Sequence, residues 1–253
     1  LATALEQHGH CLDDPLWSAR LLIEGSDAIH RVHMDYLEAG ADCITTSSYQ
    51  ASIEGFLRRG LTIGKARDLL RLSTDLAVKA RDSFWNDPAN HVERLRPLVA
   101  ASVGPYGAFL ADGSEYTGNY PVSDDVLYEF HRERWRVLAQ SPADVLACET
   151  LPSLREARVL LTLLEATPDR TAWFSFSCRD GMHLCDGTPF VEAVQLCDSA
   201  SASGVAAVGI NCTAPRFIPA LVEQATRTTD LPVVVYPNSG EIYDASTKRW
   251  TPG

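Results

Sequence analysis

Lysine is scarce in this sequence, and its three occurrences, Lys65, Lys79 and Lys248, lie at no expected strand end. That disfavours Schiff-base chemistry, which needs an amine presented inside a site. No Lys/Arg-rich block offsets the net charge of -11, so neither nucleic acid nor an anionic membrane is expected as a partner, and a small molecule is. No apolar run approaches the roughly 18 residues of a membrane span, and the first residues carry no signal-peptide pattern. The expectation is a soluble, cytoplasmic protein. The seven cysteines, at positions 11, 43, 148, 178, 185, 197 and 212, lack the tight spacing of a disulfide scaffold, and their odd count reads as reduced thiols. A glycine-rich phosphate loop is also missing. His8-Gly-His10 lies in a segment without strand character, and His30 and His33 lie on a helix flank, which gives a metallohydrolase little support.

What is present is a repeated unit. Six segments have strand composition: 42–47, 98–103, 144–148, 172–176, 206–210 and 231–236. They alternate with helical patterns near 26–37, 64–84, 123–139, 153–166, 189–199 and 215–228, for which Ser26, Ser123 and Ser153 are expected N-caps. Strand-then-helix repetition implies a parallel sheet, either doubly wound or closed as a barrel. Polar or reactive groups follow nearly every strand, and a barrel gathers all such ends at one mouth, whereas an open sheet gathers only those at its switch point. The expected fold is therefore an α/β, (β/α)8 TIM barrel formed as a single domain over residues 1–253. Its first and eighth strands are expected to lie outside that range, because six strands would leave two edges open.

Several residues at these strand ends are candidates, each with an ordinary alternative. Cys212 ends the run Gly209-Ile-Asn-Cys212 and is either packing or chemistry. Cys148 and Cys178 also lie near strand ends, but alternation points Glu149, and not Cys148, into the mouth. Glu149 is expected to hold a ligand's ammonium, the alternative being a salt bridge at the rim, while Thr150-Leu-Pro152 is read as turn punctuation. Asn238 offers both donor and acceptor to an amino-acid ligand, and Thr46 and Ser47 add hydroxyls. The loop over 104–120 is long and rich in glycine and tyrosine, and length beyond about 12 residues favours a functional lid. Tyr106, Tyr116 and Tyr120 either line a pocket there or pack beneath the loop.

In order and spacing, TTSSYQAS at 45–52, SVGPYGAFLADGSEY at 102–116, ACETLP at 147–152, GINC at 209–212 and VVVYPNSGE at 233–241 resemble the homocysteine S-methyltransferases, from Leu1 to Trp250. The resemblance is closest to members using S-methylmethionine or S-adenosylmethionine. It implies a (β/α)8 barrel and one zinc ion held by three cysteines, of which Cys212 is the first. No adjacent cysteine pair occurs in the sequence, so two further cysteine ligands are expected outside residues 1–253. It further implies homocysteine and a sulfonium methyl donor as partners, Glu149 on the homocysteine ammonium, Thr46, Ser47 and Asn238 on either amino acid, and Tyr106 and Tyr116 in the donor pocket. Two rival readings keep the barrel without the metal: a lyase or hydrolase using Glu149, and a catalytically silent amino-acid-binding barrel. Which donor is used, whether selenocysteine serves as acceptor, and the oligomeric state leave no mark in the sequence.

Overall fold

The computed structural model describes residues 1–12, 14, 16–239, 242–244 and 249–251, the last two stretches as backbone alone. The chain forms two compact units, Leu1–Val103 with Arg132–Leu146, and Gly104–His131 with Ala147–Gly253.

The first unit contains helices α1 (Ala2–Gln7), α2 (Leu21–Glu24), α3 (Ser26–Glu38), α4 (Ile53–Arg58) and α5 (Ile63–Trp85), with strands β1 (Cys43–Thr45) and β2 (Leu98–Val103). β1 and β2 pair in parallel, Cys43 opposite Leu98 and Thr45 opposite Ala100. Helices α3 and α5 form where apolar residues recur every three or four positions. Ile29, Val32 and Leu37 are fully buried on one, and Ala66, Leu70, Ala77 and Ala80 on the other, each large side chain contributing roughly 1.5–3 kcal/mol by leaving water. Thr62 caps α5 by accepting from the Lys65 N–H at 3.3 Å. The expected cap at Ser26 is not formed: Gly25 occupies the N-cap and Ser26 is the first helical residue, without a side-chain capping bond. Buried Arg81 on α5 donates to Asp144 Oδ2 at 2.6 Å, and the Val99 N–H donates to the same oxygen at 2.7 Å, anchoring the start of β2.

The second unit contains α6 (Tyr106–Leu110), α8 (Leu154–Glu165), α9 (Phe190–Ser199) and α10 (Ile218–Thr228), with strands β4 (Ala172–Phe176), β5 (Val205–Asn211) and β6 (Val233–Tyr236). Helix α7 (Asp124–Ala139) and strand β3 (Val145–Leu151) contribute residues to both units. The expected caps at Ser123 and Ser153 are present, accepting from the Val126 and Glu156 N–H groups at 3.4 Å. Strands β4, β5 and β6 pair in parallel, with Phe176 opposite Ile210 and Asn211 opposite Tyr236. One six-stranded sheet runs in sequence order from β1 to β6, as the alternating pattern implies.

Three features differ from expectation. Strand β3 continues to Leu151, three residues past the expected end, so Glu149 and Thr150 are strand residues. The loop over 104–120 is not irregular throughout, since α6 and a 3-10 turn at Ser114–Tyr116 lie within it. An antiparallel pair, β7 (Ile242–Asp244) with β8 (Arg249–Thr251), follows β6. Three-residue strands carry too little alternation to be read from sequence.

Candidate functional site

The geometry of the second unit begins with a glycine. Gly209 in β5 lies opposite Val234, and a Cβ there would come within 2.4 Å of the Val234 carbonyl oxygen and 3.1 Å of Ser175 Cβ. Only glycine allows β4, β5 and β6 to close at this register. That closure carries the C-terminal end of β5 to Asn211 and Cys212.

Cys212 adopts φ +49°, and Thr150, near the end of β3, adopts φ +60°. Left-handed backbone is uncommon for any residue with a Cβ and rarer still for a β-branched one, with a cost of about 1–3 kcal/mol each. The two are tied together through Asn211. Its Oδ1 accepts from the Thr150 N–H at 2.8 Å, and its Nδ2 donates to Thr150 Oγ1 at 2.7 Å. Both side chains then converge on one sulfur, Asn211 Nδ2 donating to Cys212 Sγ at 3.3 Å and Thr150 Oγ1 at 3.5 Å. Asn211 and Thr150 are almost fully buried, while Cys212 keeps partial exposure. Burial pushes the Cys212 thiol up to about 11, and nearby Glu149 adds to the rise, while the bonds from Thr150 and Asn211 oppose it. Two donors aimed at a sulfur suit an acceptor, as a metal-bound thiolate is.

Beside this thiol, Glu149 is 8% exposed. Tyr236, at the end of β6, donates to Glu149 Oε2 at 3.0 Å. The phenol has one proton, so its oxygen accepts from Trp173 Nε1 at 3.1 Å and from Ser175 Oγ at 2.7 Å. Burial, followed by the Glu149 charge, holds Tyr236 well above the ordinary phenol range, so it remains a donor. Alternation places Cys148 on the opposite face of β3 from Glu149, and its side chain is fully buried. Cys178 is also buried, with its N–H donating to Thr213 Oγ1 at 3.0 Å. Among the described residues, no group of three His, Cys, Asp or Glu side chains converges as a metal site, and no cysteine is in a disulfide. The chemistry around Cys212 therefore fits one soft metal ligand.

The other candidates separate by environment. Asn238 is half-buried, and its N–H donates to the Thr213 carbonyl at 3.0 Å. Glu241, at the end of the motif beginning at Val233, lies outside the described residues. In the first unit, Thr46 and Ser47 follow β1 and are both buried. Thr46 Oγ1 accepts from the Ser102 N–H at 3.0 Å and pairs with Ser48 Oγ at 2.6 Å, whereas Ser47 Oγ is buried without a hydrogen-bond partner. Tyr106 lies within an aromatic cluster, 5.4 Å from Tyr120 and 4.9 Å from Phe130 between ring centroids. Its N–H donates to Glu156 Oε1, which also bonds buried His131 Nε2 at 2.8 Å. Tyr120 is packed in the core, and Tyr116 is half-buried in the 3-10 turn.

Sequence reasoning missed Thr150 and Tyr236. Thr150 was read as punctuation, and its role depends on a left-handed backbone that no sequence pattern announces. Tyr236 had a weak signal: a phenol ending an otherwise aliphatic strand two residues before Asn238.

The family model described as homocysteine S-methyltransferase matches residues 1–253. The chain is 51% identical over 250 residues to the homocysteine S-methyltransferase YbgG of Bacillus subtilis, covering 99% of this chain and 79% of that one. It is 48% identical to a selenocysteine Se-methyltransferase of Brassica oleracea over 258 residues, 99% of this chain and 74% of the relative. The metallated form of the homocysteine methyltransferase MmuM from Escherichia coli superposes with a TM-score of 0.87 at 46% identity, over 98% of this chain and 84% of MmuM. With the family model spanning every residue and relatives near half identity, this chain belongs to the homocysteine S-methyltransferase family and is an enzyme of that class.

Proposed function

We propose that this enzyme transfers a methyl group from a sulfonium donor, S-methylmethionine or S-adenosylmethionine, to the thiolate of homocysteine in a zinc-dependent reaction that yields methionine. The observation that carries this reading is the Cys212 sulfur, partly exposed at a strand end and receiving two buried donors from Asn211 and Thr150. Cys212 supplies one thiolate ligand. Bound zinc supplies stabilisation of the homocysteine sulfur as thiolate, which a free thiol with a pKa of roughly 8.5 otherwise lacks at neutral pH.

The chain's own residues do the rest. Asn211 and Thr150 hold Cys212 Sγ in one orientation and satisfy its remaining acceptor capacity. Glu149, held by Tyr236, receives the homocysteine ammonium, and Ser47 Oγ and Asn238 are further contacts for the amino acids. Thr46 takes a lesser part, because its hydroxyl is occupied in the loop after β1. Tyr106 and Tyr116 line the donor side of the pocket, Tyr106 from within its aromatic cluster. In the step itself the homocysteine sulfur forms a bond to the methyl carbon as the bond from that carbon to the donor sulfur breaks. The electron pair stays on the donor sulfur, which leaves as a neutral thioether. An anion and a cation are both neutralised, so a buried site of low polarity favours the transition state over the separated ions. No proton moves in this step, so no general acid or base is assigned.

On the same reading, residues 1–253 belong to one homocysteine-binding (β/α)8 barrel domain, and the enzyme works in the cytoplasm, where its cysteines stay reduced. No helix of the described residues is long and apolar enough to cross a membrane. The test is methyl transfer by the purified full-length protein, with each sulfonium in turn, before and after chelation. Methionine formation that stops on chelation and returns with zinc is expected. Turnover unaffected by complete metal removal would overturn the zinc-dependent reading.

A further inference from the structure

Glu115 has no place in the chemistry above, yet it is held at the same end of the sheet. It lies in the 3-10 turn Ser114–Tyr116, only 9% exposed. Its carbonyl accepts from Ser177 Oγ at 3.3 Å, and the Ser177 N–H donates to the Leu151 carbonyl at the end of β3 at 3.1 Å. The turn is thus fixed to the strand ends that carry Glu149 and Thr150. It is also held from behind: a Cβ on Gly107 of α6 would come within 2.3 Å of the Glu115 nitrogen, so the helix is pressed directly against the turn. Despite this support, Glu115 Oε2 is buried without any hydrogen-bond partner.

A buried carboxylate oxygen without a partner is costly, and native structures rarely keep one without a ligand, ion or water to satisfy it. Glu149 already has the Tyr236 phenol; Glu115 Oε2 has nothing. Burial pushes the Glu115 carboxyl up to about 7, with a bond from its own backbone N–H opposing the rise and Asp112 nearby adding to it.

We propose that Glu115 is a second cation-recognising residue of this site, receiving the positive charge of the sulfonium methyl donor while Glu149 receives that of homocysteine. The inference rests on the methyltransferase reading and extends it to discrimination between donor and product. A sulfonium donor carries one more positive charge than the thioether it becomes. A carboxylate in a poorly solvated site favours the former and loses that attraction once the methyl group has moved. Binding of donor and release of spent donor then follow from one residue.

The experiment compares dissociation constants, by calorimetry on the zinc-loaded full-length enzyme, for pairs that differ in the sulfonium: S-methylmethionine against methionine, and S-adenosylmethionine against S-adenosylhomocysteine. Glu115→Gln is expected to reduce the preference for the sulfonium by about tenfold or more, with the homocysteine KM and zinc content unchanged. Glu115→Asp, which keeps the charge, is expected to retain most of the preference and guards against a fold defect in the amide variant. Equal sulfonium preference in wild type and Glu115→Gln would overturn the assignment while leaving the methyltransferase reading intact. Absence of methyl transfer by the wild type with either donor would overturn that reading, and this inference with it.

Discussion

The loop after β1 and the end of β3 both present threonine, but the two threonines do different work. Thr46 Oγ1 is closed into a local ring, accepting from Ser102 N–H and pairing with Ser48, whose hydroxyl donates to the Ser102 carbonyl at 2.7 Å. That arrangement ties the loop after β1 to β2 and leaves the hydroxyl no proton to offer a ligand. Thr150 instead sits in left-handed backbone and hands its hydroxyl to the Cys212 sulfur, while Asn211 supports it from β5. The difference teaches how to separate a structural hydroxyl from a functional one. The first satisfies its neighbours' backbone; the second is held in a costly conformation so that it can face a reactive atom.

Substitutions can break this contrast. Asn211→Ala has the largest expected effect, because it leaves the Thr150 N–H unpaired in a buried place and removes one of the two donors to the Cys212 sulfur. Stability should fall by about 1–3 kcal/mol, and kcat/KM by more than tenfold, as read by thermal unfolding and steady-state kinetics together. Loss of stability without loss of turnover per folded molecule would make Asn211 merely structural. Glu149→Gln comes next. A neutral amide cannot make the charge-assisted contact to an ammonium, so the homocysteine KM should rise by about tenfold with donor KM little changed; equal rises in both would contradict the division of roles between Glu149 and Glu115. Tyr236→Phe removes one donor to Glu149 and leaves Trp173 Nε1 and Ser175 Oγ without their acceptor. A rise in homocysteine KM of about threefold to tenfold is expected, with zinc content unaltered. Thr46→Val should have the smallest kinetic effect. It should lower stability by about 1 kcal/mol and leave kcat/KM within about twofold, and a large kinetic loss would show that the loop after β1 also binds substrate.

The fold was legible where composition and period agreed. Leu98–Val103 and Ala172–Phe176 form strands at their expected limits because each is a short apolar run of residues suited to a covered strand. β3 was read too short because Glu149 and Thr150 look like loop residues. They stay in the strand because partners from elsewhere in the sheet satisfy them: Asn211 Oδ1 for the Thr150 N–H and Tyr236 for the Glu149 carboxylate. Those partners are 61 and 87 positions away, beyond any local pattern. The site was legible in the same measure. Cys212 and Glu149 stood out as reactive groups at apolar strand ends, while the roles of Thr150, Asn211 and Tyr236 as supporting side chains appeared only once β3, β5 and β6 were brought together. Ser26 failed as a cap by one position, since Gly25 turns the chain into α3 before it.

The central claim is that the sulfur held by Asn211 and Thr150 is a metal ligand, and metal content tests it most directly. Zinc per chain should be measured for wild type and Cys212→Ser in the purified full-length protein, with circular dichroism confirming that both are folded. About one zinc per chain in the wild type, lost in the folded serine variant along with methionine formation, is the predicted result. Equal zinc in both proteins would contradict the account, returning Cys212 to a packed thiol and the bonds around it to architecture.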